Sequence, residues 1–150
     1  MKISLLADCP QDVEVIATWY FQQWESKKQN ASVTTVVEKV RLGLNRDCIP
    51  IAFVAHIDEE PVGAGELKYR ELLEYPGYCY WLDGIYVPQK HRGKGLSTRL
   101  IEFAKSKAIE LKLPALYLRC EDHNVKLYEN RGFQVIETEQ SKFIMELRFS

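Results

Sequence analysis

The stretch from Gly84 to Ser97 reads Gly-Ile-Tyr-Val-Pro-Gln-Lys-His-Arg-Gly-Lys-Gly-Leu-Ser, an apolar strand-like run that passes through a glycine-rich turn straight into a helix-forming segment. Gly93 and Gly95 let the backbone approach a ligand without Cβ clashes. The helix behind them offers unpaired N–H groups and the positive end of its dipole to an anion. Lys90, His91, Arg92, Lys94 and Arg99 crowd the same turn with no acid among them. This is chemistry suited to the diphosphate of a small ligand. It is not a Walker loop, because Lys94 lacks the preceding G-x-x-x-x-G, and Thr98 stands where a G-x-G-x-x-G dinucleotide fingerprint needs its third glycine. ATP and NAD are therefore weak candidates.

A second block lies downstream, Leu127-Tyr128-Glu129-Asn130-Arg131-Gly132-Phe133. With Arg92-Gly93-Lys94-Gly95-Leu96-Ser97 it makes an ordered pair of motifs that resembles the GCN5-related N-acetyltransferase superfamily, whose loop reads Arg/Gln-x-x-Gly-x-Gly/Ala and whose later block reads Leu-Tyr-x-x-x-Gly-Phe. The resemblance is sharp from about Tyr78 to Phe133 and architectural before that. It implies acetyl-CoA as co-substrate, no metal, and direct attack of a primary amine on the thioester through a tetrahedral intermediate. It implies that the backbone amides of Gly93, Gly95, Leu96 and Ser97 hold the diphosphate, flanked by Arg92 and Lys94. The backbone of Ile85, Tyr86 and Val87 would pair with pantetheine like an added strand, and the Val87 N–H would polarise the carbonyl. By the same match Asn124 meets the cofactor and Tyr128 protonates the departing thiolate.

An amine acceptor must lose a proton before it attacks, since a lysine ammonium titrates near pH ~10.4. Asp83 and Glu66 fall on strands expected to border the cleft, and either could relay that proton. Trp19, Trp24, Tyr69, Tyr80 and Trp81 are candidates for an acceptor pocket, with Tyr80 and Trp81 on opposite faces of their strand. Cys120 is a remote candidate for an acyl carrier, and His56 and His123 stand beside no nucleophile motif. Two further readings compete with the enzyme: a non-catalytic acyl-CoA-binding sensor or interaction module, and a nucleotide-phosphate binder.

The elements that must position these residues follow from periodicity. Ile3–Leu6 reads as a strand and Asp8 as the cap of a helix with Pro10 in its first turn, running to about Ser26 with Val13, Ile16, Ala17, Tyr20 and Trp24 on its core face. Ser32 caps a second helix that reaches Leu44. Strands are expected at Ile51–Ile57, Val62–Tyr69 and Tyr78–Val87, a helix at Leu96–Leu113, a strand at Ala115–Cys120, a short helix at Asp122–Arg131, and closing strands at Phe133–Glu137 and Lys142–Phe149. The order βααβββαβαββ predicts a mixed α+β domain over residues 1–150, a mostly antiparallel sheet flanked by helices.

At 150 residues, with 46% apolar and 27% charged side chains, the chain has material for one core, which argues against disorder. A net charge of −1 gives no global field for nucleic acid or an anionic membrane. Cys9, Cys48, Cys79 and Cys120 are scattered without metal-ligand or dithiol spacing. With no apolar span or signal segment, a cytoplasmic protein is expected, a monomer or a homodimer paired through Lys142–Phe149.

Overall fold

The computed structural model describes residues 1–149. Its elements follow the expected order: β1 (Lys2–Leu5), α1 (Val13–Tyr20), α2 (Val33–Arg41), β2 (Ile51–Ile57), β3 (Glu60–Tyr69), β4 (Tyr80–Tyr86), α3 (Leu96–Glu110), β5 (Ala115–Glu121), α4 (Val125–Glu129), β6 (Gln134–Thr138) and β7 (Lys142–Arg148). The strands form one seven-stranded sheet in the order β1-β2-β3-β4-β5-β7-β6, antiparallel except for β4 against β5. It is the mixed α+β architecture that the sequence predicts.

The sheet is covered on both faces, which explains why β2 is apolar at nearly every position. Phe53 and Ala55 pack with Leu100 and Ala104 of α3, while Ala52 and Val54 point the other way, under Ile16 and Ala17 of α1 and Val36 and Val40 of α2. In α1 the residues Val13, Ile16, Ala17 and Tyr20 are buried as their helical spacing requires. The Ser32 hydroxyl accepts from the Thr35 N–H at 3.1 Å and caps α2. No helix among the described residues is long and apolar enough to cross a membrane.

Several expectations need correction. Asp8 is not a helix cap: it pairs with Arg46, Pro10–Asp12 forms a separate 3₁₀ turn, and α1 starts at Val13. His56 hydrogen-bonds Asp12 at 2.6 Å and so fastens the entry of α1 to β2. After Tyr20 the helix widens into a π-helical turn, Phe21–Glu25. The extra residue in that turn rotates Trp24 off the core stripe and leaves it 46% exposed. Helix α2 stops at Arg41, short of Leu44. Strand β7 is paired on both sides, with β5 and β6, so Lys142–Phe149 offers no free edge for pairing across a two-fold axis.

Candidate active site

The site begins where two strands part. β4 and β5 are in register at a single pair, Trp81 opposite Tyr117. Their rings lie 5.9 Å apart, Tyr78 stacks on Tyr117 at 4.5 Å, and Tyr75 stacks on Tyr78 at 5.5 Å. Past this aromatic stack the ladder stops, and Asp83–Val87 on one side and Leu118–Glu121 on the other line a cleft of about 1030 Å³. A bulge sharpens the divergence, because three steps on β4 from Asp83 to Tyr86 match two on β3 from Glu66 to Ala64. Gly84 takes the bulged position at φ +63°, and its carbonyl accepts from the Tyr20 hydroxyl at 2.7 Å. A Cβ there would lie 2.6 Å from that hydroxyl oxygen, so the position has room only for glycine.

At the mouth of the cleft Gly93 (φ +82°) and Gly95 (φ +76°) turn the chain into α3. The Gly95 cap contributes no side-chain bond, and the Arg99 N–H to the Gly95 carbonyl, at 3.3 Å, opens the helical ladder. The amides of Leu96 and Ser97 thus have no intrahelical acceptor. Nothing lies within 4 Å of where a Cβ would project from either glycine, so the approach is open. The basic cluster divides. Arg92 lines the cleft, donating from Nε to the Val87 carbonyl at 2.8 Å with its guanidinium 5.9 Å from the Tyr86 ring centre. Lys90 and His91 are drawn away to Glu60 at 2.9 and 3.2 Å. Lys94 is exposed and does not line the cleft, whereas Ser97 does.

The two candidate carboxylates are cross-strand partners, Glu66 on β3 opposite Asp83 on β4. They differ in environment. Glu66 is buried, and burial pushes its carboxyl above the ordinary range despite Lys68 Nζ at 3.3 Å. Asp83 is also desolvated, but the Arg70 guanidinium at 2.5 Å, Lys68 at 3.6 Å and the Gly84 N–H outweigh that and hold it below its ordinary value. The site therefore contains one anchored anion and one carboxyl with a lifted affinity for protons.

On the opposite wall α4 presents Tyr128, buried and lining the cleft with Asn124 and Cys120. Desolvation, with the nearby Cys120 and Asp83, pushes the Tyr128 phenol well above its ordinary value, so it remains a donor at neutral pH. Burial pushes the Cys120 thiol up to about 11, and its sulfur faces Met145 Sδ at 3.7 Å. Thiolate is scarce there, which argues against an acyl-cysteine route. Of the aromatic candidates, Trp24 and Trp81 line the cleft, and Tyr80 packs on the other face as strand alternation requires. Trp19 instead packs on Tyr86 at 5.7 Å, and Tyr69 lies outside the cleft wall.

Three cleft residues escape a reading from sequence. Tyr20 sits on a helical stripe, where an aromatic reads as core. Lys68 and Arg70 read as ordinary strand charges. Their one signal is alternation, since residues 66, 68 and 70 share a face of the extended chain.

A splayed parallel pair that runs into a glycine-turned, uncapped helix defines an acyltransferase-like architecture. The chain belongs to the acetyltransferase (GNAT) family, whose sequence pattern matches residues 11–133. It is 37% identical over 84 residues to a streptothricin acetyltransferase from Escherichia coli, a match spanning 53% of this chain and 44% of that protein. Its fold is similar to that of an aminoglycoside 6'-N-acetyltransferase complexed with coenzyme A, at a TM-score of 0.78 and 15% identity over 99% of this chain and 97% of that one. It is also similar to a structure from Bacillus anthracis that holds acetyl coenzyme A and is named as a candidate streptothricin acetyltransferase. That match has a TM-score of 0.58 and 26% identity over 72% of this chain and 66% of that one.

Proposed function

We propose that the protein is an acetyl-CoA-dependent N-acetyltransferase acting on a primary amine. The observation that carries this reading is the seam between β4 and β5, closed at one end by the aromatic stack and open at the other toward the uncapped start of α3. An extended, amide-bearing arm fits the unpaired edge of β4, and a diphosphate fits the turn beyond it.

The residues present fit such a ligand. Ile85, Tyr86 and Val87 offer backbone groups to the pantetheine amides, with the Val87 N–H as the donor to the acyl oxygen. The amides of Gly93, Gly95, Leu96 and Ser97 take the diphosphate, and Arg92 and Lys94 add positive charge, Arg92 from the cleft wall and Lys94 from the exposed lip. Asn124 bounds the same channel on the α4 side. When bound, the thioester supplies an acetyl group activated for direct attack by an amine. Glu66 accepts the proton that the acceptor ammonium must lose, because its lifted pKa makes it the more basic of the two carboxylates. Asp83, held as an anion, fixes Lys68 and Arg70 instead. Tyr128 donates its phenolic proton to the departing sulfur. A proton acceptor on one wall and a buried donor on the other favour an enzyme over a non-catalytic sensor.

Calorimetric titration with acetyl-CoA, CoA and ATP, followed by thiol release against a panel of amines, tests the reading. Acetyl-CoA binds, ATP competes poorly, and at least one amine releases CoA. Tyr128→Phe lowers kcat by about 10²–10⁴-fold, the usual span for a general acid, and leaves CoA affinity nearly intact. Tight acetyl-CoA binding without thiol release on any amine would turn the reading into a sensor, and absence of binding would remove it.

A further inference from the structure

The acceptor side of the cleft carries a charge pattern that the acetyl transfer itself does not need. Although the chain has a net charge of −1, the cleft is lined by seven Lys and Arg against four Asp and Glu. Part of this excess lies at the phosphate end, in Arg92. Arg119 of β5 and Lys142 of β7 lie on the opposite wall, and the other four gather in two clusters against the β3–β4 floor and the α1–α2 wall.

In the first cluster Glu25, at the end of the π-helical turn, receives Lys28 at 2.5 Å and lies 3.5 Å from Lys39 of α2. The Lys28 hydrogen bond leads in holding the Glu25 carboxyl below its ordinary value, so one carboxylate serves two ammonium groups. The Glu25 side chain is 19% exposed while those of Lys28 and Lys39 are 66% and 58% exposed, so the cluster presents cations to a ligand. In the second cluster Lys68 and Arg70 face Asp83 and Glu66, and burial works against the ionisation of Glu66. On this side of the cleft every carboxylate already has a cation beside it. A polycationic acceptor finds no spare anion here. An acceptor that carries its own carboxylate finds two ammonium groups sharing a single partner.

The arrangement also suits the chemistry. Cations near the reacting nitrogen favour its neutral, nucleophilic form, and that same field repels the amine unless another part of the molecule offsets it. Trp24, exposed next to Glu25, supplies an apolar wall for the carbon chain between the two groups.

We propose that the acceptor is an amine bearing a carboxylate, with the carboxylate seated on Lys28 and Lys39 and the amine directed toward Glu66. This rests on the acetyltransferase reading above. The carboxylate belongs either to a free amino acid or to an acidic residue next to a peptide N-terminus, and the two sources share this chemistry.

Thiol release, normalised to the neutral fraction of each amine, is measured on matched pairs with and without that charge: lysine against lysinamide, and a short peptide with an acidic second residue against its side-chain amide. A polycationic aminoglycoside, kanamycin, serves as the opposite extreme. The carboxylate member of at least one pair is turned over with kcat/KM at least tenfold higher, and which pair responds names the source. In the Lys28→Glu, Lys39→Glu double variant the preference inverts toward the amidated member, a gain that misfolding cannot produce. Equal rates within both pairs, or kanamycin as the best acceptor, overturn the proposal while leaving the acetyltransferase reading intact. Absence of release from every amine overturns that reading and the proposal with it.

Discussion

At the scale of single residues the candidate site holds two carboxyls whose proton affinities are shifted in opposite directions. Glu66 and Asp83 face each other across a strand pair, yet Arg70 and the Gly84 N–H anchor one as an anion and burial makes the other reluctant to ionise. The lifted pKa of Glu66 has a stability cost with a definite sign. Its carboxyl is protonated in both folded and unfolded chains below the unfolded value near ~4.3, so no penalty applies there. As pH rises from that value through the raised folded value, the unfolded chain ionises more readily and stability falls. Glu66→Gln removes this term. The variant's melting temperature, measured from pH 4 to pH 8, should gain on the parent as pH rises, while kcat/KM drops at every pH and loses the rising limb set by Glu66. A uniform loss of stability across that range would show that the carboxylate is structural.

At the scale of elements, the turn into α3 is shaped by backbone and offers uncapped amides. Gly93 and Gly95 adopt left-handed φ values and nothing caps the helix. Gly95→Asp is expected to strain the turn and set a carboxylate against the diphosphate, weakening acetyl-CoA by at least about 100-fold, or about 2.8 kcal/mol. Calorimetry checks this, and retained affinity would take the turn out of the site. The turn was legible in sequence because local spacing encodes it: two glycines, a basic cluster and the onset of helical periodicity stand within a few residues. The strands were legible for the same reason. The α1–α2 wall of the cleft was not. Tyr20 meets Gly84 across 64 positions of sequence. The change from α to π geometry at Phe21 that exposes Trp24 leaves no mark on a 3.6-residue pattern. Glu66 could be nominated from its strand, but its burial, and hence its basicity, depends on neighbours distant in sequence, Tyr20 and Gly84 among them.

At the scale of the molecule, the sheet is two leaves, β1–β4 and β5–β7–β6, joined through one register pair and a stack of aromatic rings. Trp81 is 2% exposed at that joint and donates its indole N–H to the Tyr78 carbonyl at 2.8 Å. Trp81→Ala should cost about 3–5 kcal/mol, the usual range for a large aromatic removed from a core. Because the cleft narrows at this point, the loss should weaken acetyl-CoA as well as lower the denaturation midpoint. Urea titration with and without ligand separates the two effects. A variant destabilised but unchanged in acetyl-CoA affinity would show that the joint supports the fold without shaping the cleft.

The hydrogen bond from Tyr20 to the Gly84 carbonyl links α1, on the wall proposed to meet the acceptor, to the strand proposed to meet pantetheine. Any coupling carried by that bond is equal in both directions, so under the proposed assignment acceptor and acetyl-CoA would change each other's affinity by the same factor. Under the proposed assignment, the backbone bulge at Gly84 would be the place where synergy between the two substrates arises.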